Sequence, residues 1–177
     1  MKSNKHILYA AYGSNLLLER FYAYIKGTEF NGKKYIGCKD KTEPEDYGSM
    51  MVPHRLYFAK SSAIWEGGGL AFLSLKEESD PYYYTLVRLW KITFEQFDDI
   101  QRQEGDWYNQ ILNLGKKDKL DIITFTGPAE FEKEKNPPSD SYIDVIKKGL
   151  IQTKGLNVGE CEQYIKKFLW NKKLSGN

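Results

Sequence analysis

Short β-type segments crowd the middle of the chain, and helical patterns stand mostly at its two ends. Alternating or β-rich stretches recur near residues 34–39, 55–60, 70–75, 83–92, 107–114 and 120–126, each bounded by Gly, Pro, Asn or Asp. Helical spacing is found over 16–26, 93–104, 139–153 and 157–170. Thr93 with Gln96 and Asn157 with Glu160 have the form of capping boxes, and Pro137-Pro138 precedes the third helix. Because strands and helices do not strictly alternate, the pattern favours an α+β fold, a mixed sheet or small mixed β-barrel with helices packed outside. A doubly wound parallel sheet is disfavoured. There is no internal repeat, and the charged stretch "EFEKEKNPPSD" reads as an exposed loop within the unit.

A length of 177 residues is enough for one substantial core, so residues 1–177 are expected to form a single domain. The 26 Lys and Arg nearly balance the 24 Asp and Glu, which removes the electrostatic case for a nucleic acid or membrane partner. A small diffusible substrate suits such a surface better. Cys38 and Cys161 are far apart and in no metal-type spacing, which points to a reducing compartment, the cytoplasm. The opening "MKSNKHILYAAY" lacks the length and cleavage-type ending of a signal peptide, and no run approaches a membrane span. No His, Cys and carboxylate grouping has metal spacing. Gly67 to Gly69 lack the Lys-Ser/Thr of a phosphate loop and mark a turn, while Tyr82 to Tyr84 read as strand and pocket lining.

The first strand, Ile7 to Ala11, breaks at "YGSNL", Tyr12 to Leu16, and Leu16, Leu17, Leu18, Phe21 and Ile25 then carry apolar positions at helical spacing. A strand-to-helix loop of this kind aims backbone N–H groups at one place, at the positive end of a helix, and suits a carboxylate or a developing oxyanion. An ordinary polar turn has the same composition.

A second candidate lies on "TFEQFDDIQRQEG". At roughly 100° per residue, Phe94, Phe97 and Ile100 set the buried arc and Glu104 falls roughly 20° from Phe97, whereas Asp98 and Asp99 point elsewhere. Glu104 also occupies the last turn before a terminating Gly105, against the negative end of the helix dipole. Burial and dipole both raise a carboxyl pKa, which makes it a better proton acceptor near neutrality. The alternative is a frayed turn in which Glu104 reaches water or pairs with Arg102 or a lysine.

Together these features resemble the γ-glutamylcyclotransferase-like family, which carries a "YGSN[LM]" loop after its first strand and a Glu-Gly pair after a central helix. Here the matches are Tyr12, Gly13, Ser14, Asn15 and Leu16, then Glu104 and Gly105. "PPSDSYIDVIKKG" is similar to the family's Pro-Ser followed by a late-helix Tyr, with Tyr142 in the matching place. "HRLYFAKSSAIWEGGGLAFL" also looks like a family stretch, so the resemblance runs from about Tyr9 to Gly149. It implies a small mixed β-barrel with surrounding helices, no cofactor, and an intramolecular acyl transfer on a small γ-glutamyl compound. The substrate's α-amine attacks its own γ-carbonyl, giving 5-oxoproline and a free amine or amino acid. It further implies Glu104 as general acid and base, with Tyr12 to Leu16 and Tyr142 in the substrate pocket and Tyr108 as a further pocket tyrosine. A core aromatic beside Val145 and Ile146 is the other reading of Tyr142. The segment "YYYTLVRLWKI" departs from the family, with bulky residues and an Arg where relatives commonly show a smaller, Gly-containing stretch, so the leaving group stays open.

Two rival functions stand beside this one. A hydrolase would use Ser14 as nucleophile and His54 as base, although no G-x-S-x-G elbow is present. A binding module would keep the pocket without turnover.

Overall fold

The computed structural model describes residues 5–169. In chain order its strands and helices are β1 (His6–Ala11), α1 (Leu18–Lys26), β2 (Glu29–Phe30), β3 (Lys33–Lys34), β4 (Glu45–Val52), β5 (His54–Ser62), β6 (Gly68–Glu77), β7 (Thr85–Thr93), α2 (Phe94–Glu104), β8 (Gln110–Lys117), β9 (Leu120–Thr126), α3 (Asp140–Lys154) and α4 (Val158–Lys166). Five strands make a mixed sheet in the order β4-β7-β1-β9-β8, with β1 parallel to β9 and antiparallel to β7. The β5–β6 and β2–β3 hairpins form two smaller sheets.

β1 lies at the middle of the large sheet, which explains its unbroken apolar run. Leu8 and Ala10 face the core covered by α3 and α4, and Ile7, Tyr9 and Ala11 face the core covered by α1 and α2. Both expected capping boxes are present: Thr93 with Gln96 starts α2, and Asn157 with Glu160 starts α4. The mixed sheet with helices outside is as expected, but among the described residues it is not closed into a barrel by a continuous backbone ladder. At the seam between β6 and β9 the Thr126 hydroxyl does the bridging: Oγ1 donates to the Leu73 carbonyl at 2.8 Å and accepts the Leu73 N–H at 2.9 Å.

Several boundaries differ from expectation for visible reasons. Of the segment expected as a strand over 34–39 only Lys34 belongs to one, the two-residue β3; beyond it the chain bonds to side chains of α2. The Gly37 and Lys39 N–H groups donate to Gln103 and Asp99, and Gln96 donates to the Asp40 and Thr42 carbonyls. Asp99 is therefore buried rather than turned to solvent. β4 carries no clear signal, because Glu45, Asp46, Gly48 and Ser49 read as loop; it is an edge strand with a register shift between Asp46 and Ser49. Tyr82 is exposed on a 3₁₀ turn over Pro81–Tyr83, outside the strand that begins at Thr85. The last helix ends at Lys166, and its expected end at Trp170 lies outside the described residues. Cys38 and Cys161 are buried free thiols. Among the described residues no helix is long and apolar enough to cross a membrane, and no His, Cys, Asp and Glu cluster could hold a metal ion.

Candidate active site

Three parts of the fold converge beside the end of β1. The loop after β1, the last turn of α2 and the first turns of α3 bring Tyr12, Gly13, Ser14, Asn15, Glu104 and Tyr142 to one small cavity, and Tyr108 joins them from the turn before β8. The cavity has a volume of ≈ 30 Å³. Leu16, expected in the same pocket, is fully buried in the core on the α3 side, and its carbonyl takes a hydrogen bond from Arg88 Nη1 at 2.9 Å. Leu16 is a packing residue because the loop turns inward there: Ser14–Leu16 forms a 3₁₀ turn, with the Leu16 N–H bonded to the Gly13 carbonyl at 3.1 Å.

That turn also changes the reading of the helix dipole. α1 begins after the loop, at Leu18, and the Leu18 N–H is taken by Gln152 Oε1 of α3 at 2.9 Å. The backbone that borders the cavity belongs to Tyr12 to Asn15, one turn earlier than the helix N-terminus. Two side chains of β7 fix this loop from behind. Trp90 Nε1 donates to the Asn15 carbonyl at 3.1 Å, and Arg88 reaches Leu16 and, through Nη2, Asp46 Oδ2 at 2.8 Å. The bulky "RLW" of this strand, whose purpose the sequence leaves open, is thus the support of the loop.

Glu104 ends α2 on the apolar side, as the wheel predicts, and is partly buried. Gly105 follows at φ 95°, a backbone region that favours glycine, and its N–H closes the helix on the Gln101 carbonyl. The frayed-turn alternative does not hold, since Arg102 pairs with Asp99 at 2.9 Å and Glu104 Oε1 accepts Asn15 Nδ2 at 3.0 Å. Asn15 Nδ2 also donates to the Tyr9 hydroxyl at 3.2 Å. Burial pushes the Glu104 carboxyl above its ordinary pKa, opposed by the positive charge of Arg20 and by the Tyr24 and Asn15 side chains.

Another part of the lining is organised around one residue, Ala71 of β6. The Tyr142 hydroxyl accepts the Ala71 N–H at 3.1 Å, and the Tyr108 hydroxyl donates to the Ala71 carbonyl at 2.9 Å. Tyr142 also packs on Trp65, with ring centroids 4.9 Å apart. Tyr142 thus belongs to the core, and it also borders the cavity. Gly13 faces this wall so closely that a Cβ would lie 3.1 Å from Ala71 Cβ and 3.2 Å from the Tyr142 hydroxyl. Tyr12 is anchored by donating to the Phe125 carbonyl at 2.8 Å.

Arg20 is the site residue that sequence reasoning missed. It lines the cavity from α1 and is 4% exposed. Its place on a helix otherwise read for apolar spacing gave no separate signal. His54, by contrast, is not at the cavity. Its Nδ1 pairs with the Ser74 carbonyl at 2.8 Å, so Ser14 and His54 are not brought together. A wider cleft of ≈ 600 Å³ lies elsewhere, bordered by Arg55, Lys76, Glu132 and Lys167 and reaching Leu169, where the described residues stop.

No family model matches the chain. Among solved structures, a gamma-glutamyl cyclotransferase superposes with a TM-score of 0.68 at 20% identity, covering 98% of this chain and 93% of that one. An uncharacterized human protein superposes with a TM-score of 0.66 at 21% identity and the same coverage. A curated relative, histone deacetylase 5 of Arabidopsis thaliana, is 30% identical over 203 residues. That match takes in 91% of this chain and 30% of the relative's length, so the chain resembles one portion of a longer protein.

Proposed function

We propose that this chain, which has the fold of gamma-glutamyl cyclotransferase, catalyses intramolecular acyl transfer on γ-glutamyl amino acids, amines or conjugates. The observation that carries the reading is Glu104: a partly buried carboxylate with a raised pKa, held by Asn15 in the cavity that the Tyr12 to Asn15 loop borders. Glu104 takes a proton from the substrate α-ammonium. The freed amine attacks the γ-carbonyl carbon, and a new C–N bond closes the five-membered ring. When the tetrahedral intermediate collapses, the original γ-amide C–N bond breaks, Glu104 returns its proton to the departing nitrogen, and the ring nitrogen sheds its second proton, which protonates the released amine. The products are 5-oxoproline and a free amine.

This chemistry asks little of the protein because nucleophile and electrophile arrive tethered; what remains is proton transfer, the folded-back conformer and the oxyanion. Loop amides at Gly13 to Asn15 and the Tyr142 hydroxyl are suited to the last two tasks by their position around the cavity. The loop support from Trp90 and Arg88 favours a preorganised arrangement. The hydrolase reading has no such support, since His54 is committed elsewhere.

The test is incubation with a panel of γ-glutamyl amino acids, amines and larger conjugates, with 5-oxoproline as the readout. Wild-type protein is expected to release it, and Glu104→Gln to lose on the order of 10²-fold or more in turnover. Binding of panel compounds without release of 5-oxoproline would establish a binding module instead.

A further inference from the structure

Arg20 is buried, charged and incompletely paired. Its Nη2 donates to the Tyr24 hydroxyl at 2.9 Å, and its guanidinium carbon lies 4.6 Å from the ring centroids of both Tyr24 and Tyr35. Nε and Nη1 are buried and have no hydrogen-bond partner among the described residues. Burying a guanidinium without a direct ion pair is costly, and stacking on two tyrosines recovers part of that cost while leaving donors free. The same side chain lines the cavity that contains Glu104. A cation with free donors and a carboxylate lining one small chamber are together complementary to a zwitterion.

We propose that Arg20 is a specificity-determining residue that binds a substrate carboxylate, and that this is the α-carboxylate of the γ-glutamyl unit. The assignment rests on the cyclotransferase reading. In a γ-glutamyl compound the α-ammonium and α-carboxylate share one carbon, so seating the ammonium on Glu104 keeps the carboxylate within the same narrow cavity. Arg20 is the positive side chain bordering that space. A carboxylate on the leaving group stands at the far side of the γ-amide and is placed less well for it. A guanidinium supplies planar, charge-assisted donors matched to carboxylate oxygens.

The experiment compares three substrates: a γ-glutamyl amino acid, the same compound with its α-carboxylate converted to the carboxamide, and a γ-glutamyl alkylamine lacking a leaving-group carboxylate. Wild-type protein is expected to prefer the α-carboxylate over the α-carboxamide by about 10- to 100-fold in kcat/KM, the range of a charged hydrogen bond. Arg20→Gln should erase that preference, Arg20→Lys should keep part of it, and neither should alter the ratio between amino acid and alkylamine leaving groups. A general loss of activity through misfolding lowers all three rates together and leaves the ratios intact, so the ratio separates recognition from structure. Calorimetry on Glu104→Gln protein with 5-oxoproline and with its carboxamide gives the same comparison without turnover. If Arg20→Gln discriminates as wild type does, or if the lost discrimination concerns the leaving group's carboxylate, the assignment is overturned while the cyclotransferase reading stands. If wild type turns over no panel compound and binds neither 5-oxoproline nor its carboxamide, both fall.

Discussion

Asn15 and Glu104 stand 89 positions apart and meet through a 3.0 Å hydrogen bond from Nδ2 to Oε1. The contact joins the loop after β1 to the end of α2, the two features that the sequence offers separately. It also lowers the carboxylate's proton affinity, beside Arg20 and Tyr24, because a donor aimed at the ionised form favours it and offsets part of the burial that disfavours it.

Removing that donor therefore has a predictable sign. Asn15→Ala is expected to raise the Glu104 pKa further and to move the acid limb of the kcat/KM profile to higher pH. The profile of 5-oxoproline release against pH checks it, and a limb that stays put or moves down would show that Asn15 does not govern the carboxyl.

Stability should carry the opposite signature of the same group. Burial raises the folded-state pKa of Glu104 above its unfolded value, so in the window between the two the native state keeps a proton that the unfolded chain has lost. Stability contributed by the neutral form is fully present below the unfolded pKa and is lost as pH rises through the folded one. Glu104→Gln does not titrate. It is expected to be more stable than wild type at neutral pH, with the gap closing as pH falls toward about 4, the ordinary carboxylate range. Urea unfolding across pH measures the gap, and a pH-independent difference would contradict the account.

Tyr142→Phe tests the Ala71 part of the lining. The ring stays, but the Ala71 N–H loses its acceptor, and an orphaned buried donor costs about 1–3 kcal/mol. Denaturant titration should show that loss, together with slower turnover. Stability within experimental error of wild type would mean that water replaces the hydroxyl there.

Gly105→Ala isolates a backbone effect. No atom lies within 4 Å of the added Cβ, so the penalty comes from φ 95° alone and is expected at about 1–3 kcal/mol. Glu104 precedes this residue directly, so relief of the strain turns its carboxylate away from Asn15. Activity should fall by more than the stability loss explains; a purely thermal defect with normal kcat would separate the two residues.

Much of this was legible in the chain itself. The caps at Thr93 and Asn157 and the buried run of β1 are local signals, and local geometry decides them. The placement of Glu104 followed from helical periodicity, since a residue seven positions after Phe97 must share its face. What stayed hidden depended on contacts distant in sequence. β4 forms because β7 offers it an edge, against its own polar composition. The loop over 35–44 takes its shape from α2 side chains, and Leu16 is drawn into the core by the 3₁₀ turn and Arg88. Arg20 was invisible for the same reason: its meaning lies in the Tyr24 and Tyr35 rings and in the cavity it faces.

The single hydroxyl of Thr126 that spans β6 and β9 gives the chamber one stiff side and one pliant side. β7 and β9 flank β1 and hold its loop in place through backbone ladders, whereas Ala71 sits on the hairpin across that seam, tied by side-chain hydroxyls to Tyr108 before β8 and Tyr142 of α3. A guest bulkier than the ≈ 30 Å³ now enclosed would need a wall to yield, and the side joined by side chains rather than by a backbone ladder is the one suited to do so. Sequence drift along that seam would then adjust how quickly compounds come and go, with the acid itself untouched.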